Sequence, residues 1–296
     1  MKVLLIGNTK SFESRRIQEE FKNAGHEITA LSVKDIIIRV ENNDPVFTTY
    51  DSKDLMAYDL YLFRGMGDAM WEMMVFAKHL HTAGKIIIEE KLATQRALMT
   101  KLPYTMAKNG IPTIDSKLIF EYREELDKEL EFPLIMKGTQ SSRGRAVFKI
   151  HNIEEFKEIY NEIGPKVLLQ KYIPITFDYR VFIVGEKILG VMKRFNSEDN
   201  FLTNISAGGT AEPSTLPQEV LEMCKKAKAL RNTEISGVDV IEHGGKYYVL
   251  EVNTSPQFQG FETATGVNVG KEIVEYGEHK FQAPSSKFQG KPKSEF

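Results

Sequence analysis

The sequence predicts a parallel α/β layer over residues 1–92, followed by a longer antiparallel α+β region. Three observations predict it. Short apolar strands alternate with helical patterns in the first third of the chain. Longer strands joined by glycine turns fill most of the remainder. The closing stretch is poor in aliphatic residues and rich in Lys, Ser, Pro and Gln.

The first strand is Val3–Gly7 in MKVLLIGNTK, whose apolar run is too short for a signal sequence or a membrane span. A cytoplasmic protein is expected. In FESRRIQEEFKNAGHE, Ile17, Phe21 and Ala24 share a helical face, and Gly25 suits the stop. HEITALSV is a second strand. YDLYLFRGMGD is a third, ending in a glycine-rich turn before a helix over Met70–Leu80. GKIIIEE is the fourth. Gly7 is the only glycine in IGNTKSFES, so the G-x-G-x-x-G signature of a dinucleotide-binding layer is absent.

KLATQRALMTKLPYTMAKNGIPT reads as a helix closed by Gly110 and Pro112. Then come FPLIMKG, GRAVFKI, KVLLQKYI, YRVFIVGEKILGVMKRF and GVDVIEHGGKYYVLEVN. Gly185-Glu186 and Gly244-Gly245 make hairpins of the last two. GEHKFQAPSSKFQGKPKSEF is expected to be a loosely attached tail. A formal net charge of −2 provides no basic field for nucleic acid. The single cysteine, Cys224, lies on an apolar helical stripe with Val220, Leu221 and Ala227, which marks a buried thiol rather than a nucleophile.

The chemistry begins in YYVLEVNTSPQFQG. Glu251 and Asn253 are two residues apart and share a strand face, beside Val249, Leu250 and Val252 of a core. A buried carboxylate needs a partner, and Asp239 lies on the adjoining strand. Asp239, Glu251 and Asn253 together would offer hard oxygen donors to Mg²⁺ or Mn²⁺. A carboxylate pair at a solvated sheet edge is the alternative. All three are odd-numbered, so they share a face only if paired positions sum to an even number. A regular two-residue Gly244-Gly245 turn pairs His243 with Lys246 and makes the sum odd. An odd-length loop or a β-bulge is therefore expected in this hairpin.

Other residues point to polyphosphate. Lys137 interrupts the apolar strand FPLIMKG, and GTQSSRGRAV follows with small residues, Arg143 and Arg145. The P-loop pattern is not present. Lys193 and Arg194 end a later strand, and NFLTNISAGGTAEP adds Asn204. Distant cations and an oxygen-ligand hairpin describe a site for Mg²⁺ and a nucleotide.

At these residues the sequence resembles the RimK-like branch of the ATP-grasp superfamily. The likeness spans nearly the whole chain and rests most on GVDVIEHGGKYYVLEVNTSPQFQGFETATGVNV, YRVFIVGEKILGVMKR and FLTNISAGG. It implies an ATP-grasp fold: an N-terminal domain over residues 1–92, subdomains 93–170 and 171–277 enclosing ATP, and a flexible tail over 278–296. Lys101 and Lys137 match the lysines that reach the ATP phosphates, although Lys101 taken by itself reads more readily as the solvated face of a helix. Ser141, Ser142 and Gly144 fall in the phosphate-covering loop, and Gln170, Lys171 and Ile173 in the hinge that reads adenine. Asp178 and Arg180 match a D-x-R pattern. Arg194 matches the arginine beside the transferred phosphoryl group, Asn204 a polar contact, and Asp239, Glu251 and Asn253 the Mg²⁺ ligands. Thr100, Lys171 and Ala146 depart from the family pattern. Catalytic roles fall to Arg194, Lys137 and Arg180. Arg64, before GMGD, is either a substrate-carboxylate contact or a surface arginine.

The resemblance implies an ATP-dependent carboxylate–amine ligase. It would work through an acyl phosphate and release ADP and phosphate. Its partners would be a small-molecule or peptide carboxylate, with a protein C-terminus included, and an amino acid such as glutamate. Nucleic acid and membrane are not expected, and a homo-oligomer is left open. The alternative is a regulatory nucleotide-binding module of the same fold.

Overall fold

The computed structural model describes residues 1–94, 103–138, 147–196 and 210–283. The first domain is built on β1 (Lys2–Gly7), α1 (Phe12–Asn23) and β2 (Glu27–Leu31). A hairpin follows, β3 (Ile36–Glu41) and β4 (Asp44–Thr49), and then β5 (Leu60–Arg64), α2 (Met70–Thr82) and β6 (Ile86–Ile88). The parallel sheet runs in the order β2-β1-β5-β6. Val3 to Ile6 are all fully buried, as a parallel strand covered on both faces requires. The Ser11 side chain caps α1 by accepting the Ser14 N–H at 3.1 Å, and Gly25 at φ +79° ends the turn. The β3/β4 hairpin was not anticipated. Its signal is Asn42-Asn43 between two apolar runs, both residues at positive φ as a tight two-residue turn needs. Phe47 stacks on Phe76 at 4.4 Å and so seats the hairpin on α2.

The second unit follows α3 (Lys91–Thr94) and α4 (Pro103–Lys108). It comprises β7 (Ser116–Ile119), β8 (Leu134–Gly138), β9 (Val147–Ile150), α5 (Ile153–Ile163) and β10 (Val167–Lys171). The antiparallel sheet has the order β7-β10-β8-β9. Leu134, Met136, Ile150, Val167 and Leu169 pack with Phe156 of α5. Strand alternation therefore puts Ile135, Lys137, Leu168 and Gln170 on the other face.

The third unit holds β11 (Phe177–Val184), β12 (Lys187–Phe195), β13 (Ala211–Ser214), α6 (Gln218–Leu230), β14 (Ile235–His243), β15 (Lys246–Asn253), α7 (Gln259–Thr265) and α8 (Val269–Gln282). Its sheet is ordered β13-β12-β11-β14-β15. One face packs Val181, Ile183, Val238 and Val240 against Val220, Cys224 and Ala227 of α6. The other face is divided. Phe182, Val184, Met192 and Ile235 join Val3, Leu5, Leu60 and Leu62 of the first domain and Phe258, Phe261 and Ile273 in one core. The remainder of that face is polar and carries the site.

The seam between first and third units is also polar. The Glu89 carboxylate accepts the Ile235 N–H at 2.7 Å and the Glu234 N–H at 3.1 Å, while Glu234 accepts the Glu90 N–H at 2.9 Å. One expectation needs correction here. The segment from residue 278 was assigned to the tail, but α8 continues through Gln282, with Glu278 2.8 Å from His26. The polar composition of this segment conceals the last helical turn, and Gly277 is a contact point within α8. A Cβ there would stand 3.0 Å from Leu60 Cδ2. Residues 284–296 lie outside the described residues. Among the described residues, no helix is long and apolar enough to cross a membrane.

Candidate active site

The β14/β15 hairpin decides which side chains meet. Its turn is Gly244-Gly245, both at positive φ, and His243 pairs with Lys246. The register holds through Val240 opposite Val249 and then shifts, so that Asp239 stands opposite Glu251 and Gly237 opposite Asn253. Leu250 is the extra residue of a β-bulge, as the parity argument required. Beside the bulge, the Val249 N–H donates to the Pro112 carbonyl at 2.9 Å, and Thr113 Oγ1 donates to the Val249 carbonyl at 3.2 Å. The outer edge of β15 is thereby partnered where its ladder is broken.

The three presumed ligands differ in setting. Asp239 is buried and Asn253 half-buried, but Glu251 is exposed. The expectation that Glu251 is buried in a core is thus corrected. Leu250 is likewise only half-buried, because the bulge lifts that stretch away from Val249 and Val252. Asn253 Nδ2 donates to Glu251 at 2.7 Å and to Asp239 at 3.2 Å.

Two arginines hold Asp239. Arg180 makes a bidentate pair, Nε to Oδ1 and Nη2 to Oδ2, each at 2.7 Å. Arg194 Nη2 lies 3.1 Å from Asp239 Oδ2. Burial pushes the Asp239 carboxyl up, but the two guanidinium groups outweigh it and hold the pKa at about 2. Arg194 is itself bidentate to Asp178, at 2.7 and 2.5 Å, and only 3% of its side chain is exposed. Burial works against its charge, yet Asp239 and Asp178 prevail and raise its pKa. Asp178 pairs across the ladder with Arg194, and Arg180 with Asp239. Each acid thus meets its base by strand register.

Lys137 approaches from the second unit. Burial lowers its pKa, and Glu251 and Asp239 oppose that shift as its nearby charges. Gln170 is buried and donates to Ser116 Oγ at 2.9 Å. Lys171 is exposed, and its N–H is engaged by the Asp115 carbonyl at 3.0 Å. Ile173 follows at the strand's end, half-buried. Lys193 turns out not to join the cluster. As the neighbour of Arg194 it points to the opposite face, with Nζ 3.9 Å from the centroid of Phe177. Arg64 is not a surface arginine: it is buried and donates to the Pro256 carbonyl at 2.8 Å. Lys101, Ser141, Ser142, Gly144 and Asn204 lie outside the described residues, as do Thr100, Arg143, Arg145 and Ala146.

The donor set suits a hard divalent cation. Among the described residues, Asp239 Oδ1 accepts a single hydrogen bond, from Arg180, which leaves a lone pair, and Glu251 is open to solvent. Asn253 presents its amide nitrogen to both carboxylates. Rotating that amide would present its oxygen instead. Bound there, Mg²⁺ would neutralise phosphate charge.

Comparison with known proteins bears on this arrangement. A family model described as the RimK-like ATP-grasp domain matches residues 96–276. The coenzyme γ-F420-2:α-L-glutamate ligase of Methanococcus maripaludis is 32% identical over 227 residues, covering 71% of this chain and 78% of that protein. A probable α-L-glutamate ligase of Marinomonas sp. is 25% identical over 305 residues, covering 98% and 100%. Among solved structures, the RimK domain ATP-grasp protein of Sphaerobacter thermophilus superposes with a TM-score of 0.68 at 20% identity, over 94% of this chain and 100% of that one. An ATP-grasp ligase of Chryseobacterium gregarium, in complex with ADP and leader and core peptides, reaches 0.72 at 16% identity, over 96% and 97%. These structural likenesses show an ATP-grasp fold. With the family model and the 32% identical relative, they establish that the chain belongs to the RimK-like ATP-grasp family.

Proposed function

We infer that this ATP-dependent ligase joins a carboxylate to the amine of an amino acid, with glutamate as the favoured amine. The observation that carries the reading is the bulge-set convergence of Asp239, Glu251 and Asn253, with Arg180 and Arg194 behind them and Lys137 facing them. The relatives named as glutamate ligases supply the choice of amine. Their names also favour ligation over a non-catalytic nucleotide-binding module.

A carboxylate is a poor electrophile toward an amine. Transfer of the ATP γ-phosphoryl group to a carboxylate oxygen breaks the bond between that phosphorus and the β-bridging oxygen. It yields an acyl phosphate and ADP. The amine then attacks the carbonyl carbon, phosphate leaves with the C–O electron pair, and the nitrogen loses a proton. Lys137 would position the polyphosphate from the second unit. Arg194, aligned by Asp178, would face the charge that spreads over the phosphoryl oxygens during transfer. Asp239, Glu251 and Asn253 would hold Mg²⁺, whose charge would offset that of the phosphates.

The test is product identity. Incubation with ATP, Mg²⁺, glutamate and pooled carboxylates should give ADP and phosphate. With acid present and amine omitted, hydroxylamine should trap an acyl hydroxamate. AMP and pyrophosphate from productive substrates would exclude this route.

A further inference from the structure

Asn253 is the last residue of β15, so its side chain depends on where the chain goes next. That continuation is fastened largely from the first domain. Arg64, at the carboxyl end of β5, donates from Nη2 to the Pro256 carbonyl at 2.8 Å. Glu13, in the first turn of α1, accepts the Phe258 N–H at 3.3 Å. The fully buried Phe258 ring meets Phe12 at 6.1 Å and Phe182 at 6.2 Å, both edge-on, and the Arg64 guanidinium is 5.7 Å from its centroid.

Pro256 in turn walls Arg180. A Cβ built on Gly237 would stand 3.2 Å from Arg180 Cδ, from Arg180 Nε and from Pro256 Cβ. The stem of Arg180 therefore crosses bare backbone at Gly237 with Pro256 alongside, and its guanidinium reaches Asp239. Arg64 is 6% exposed, which leaves little of it for a substrate carboxylate. We propose that Arg64 is a positioning residue for the metal end of the site, setting Asn253 and the course of Arg180 through Pro256 without touching a reacting atom.

The inference rests on Asp239, Glu251 and Asn253 being the metal ligands, so Glu251→Gln is measured beside it. Mn²⁺ affinity in the presence of ADP is read by titration calorimetry, with steady-state kinetics and thermal unfolding in parallel. Arg64→Met should bind Mn²⁺ about tenfold more weakly, the scale of losing a group that orients a ligand. Its kcat should fall similarly, while KM for the carboxylate substrate stays within about twofold. Arg64→Lys keeps a donor for the Pro256 carbonyl and should regain most of the affinity. Pro256→Gly leaves Arg64 in place but frees the segment, and should repeat the Mn²⁺ loss even where Arg64→Met does not fold. Wild-type Mn²⁺ affinity in Arg64→Met or Pro256→Gly overturns the proposal, whether accompanied by a raised KM or only by a lower melting temperature. Equal Mn²⁺ binding by wild type and Glu251→Gln overturns the ligand assignment and this inference together.

Discussion

Asp239 stands directly opposite Glu251, although the turn joining their strands sets the opposite parity. Leu250 alone reconciles the two, by occupying a ladder position without a partner. Inserting one alanine between Leu250 and Glu251 should therefore set that alanine opposite Asp239 and carry Glu251 and Asn253 to the face that packs on α6. ADP release should fall by at least about a hundredfold, the scale of a lost charge-stabilising group. An insertion variant that folds and turns over normally would refute the shared-face geometry.

Asp239 and Glu251 should behave differently under substitution. Glu251 is exposed, so Glu251→Gln should abolish Mg²⁺-dependent turnover while changing stability by no more than about 0.5 kcal/mol. Asp239→Ala leaves Arg180 and Arg194 without their shared carboxylate, and should cost about 3–5 kcal/mol. Urea unfolding of the two variants in the same buffer checks the contrast. Equal losses would mean that Asp239 does not hold the arginines.

Lys137 has a pKa lowered chiefly by burial, so its charge is disfavoured in the folded chain. The sign follows from linkage: the cost is full below the folded pKa. It disappears as pH rises from there toward the unfolded value of about 10.4. Lys137→Met should have a higher urea midpoint than wild type at neutral pH, with the gap closing toward that value. A gap that widens with pH would reverse the assignment. Nucleotide use should weaken in the same variant.

Burial pushes the Cys224 thiol up to about 12, and its side chain is fully enclosed by the α6 core. The unfolded thiol ionises near about 8.5, so this group's contribution to stability is intact below that pH and fades above it. Iodoacetamide at pH 8 should label native protein only at the rate of local opening, and rapidly beyond the urea midpoint. Prompt labelling of native protein, read by mass spectrometry, would contradict the burial.

Much of this was legible in residue order, because alternation and turn chemistry act locally. The apolar run Val3–Ile6, the two glycine hairpins and the odd numbering of Asp239, Glu251 and Asn253 each bear on their own neighbourhood. What escaped depends on partners far along the chain. Arg64 is buried because Pro256, nearly two hundred residues later, supplies its acceptor. The last turn of α8 has a tail-like composition, and its place shows only when Glu278 is set against His26. The exposure of Glu251 depends on how an extra residue tilts a strand, which spacing alone does not reveal. Lys193 and Arg194 look equivalent as adjacent cations, and only the pleat separates them.

The core that unites Val3, Leu5 and Leu60 with Phe261, Val269 and Ile273 draws on both ends of the chain. During synthesis the first sheet emerges before α8, and one of its faces waits for that helix. The nascent first domain is consequently an incomplete object that needs shielding until α8 has been made. Closing so long a loop slows folding for the same reason. A fragment limited to residues 96–276 would inherit the mirror-image defect, presenting Phe182, Val184 and Phe261 to water and favouring aggregation over a stable catalytic half.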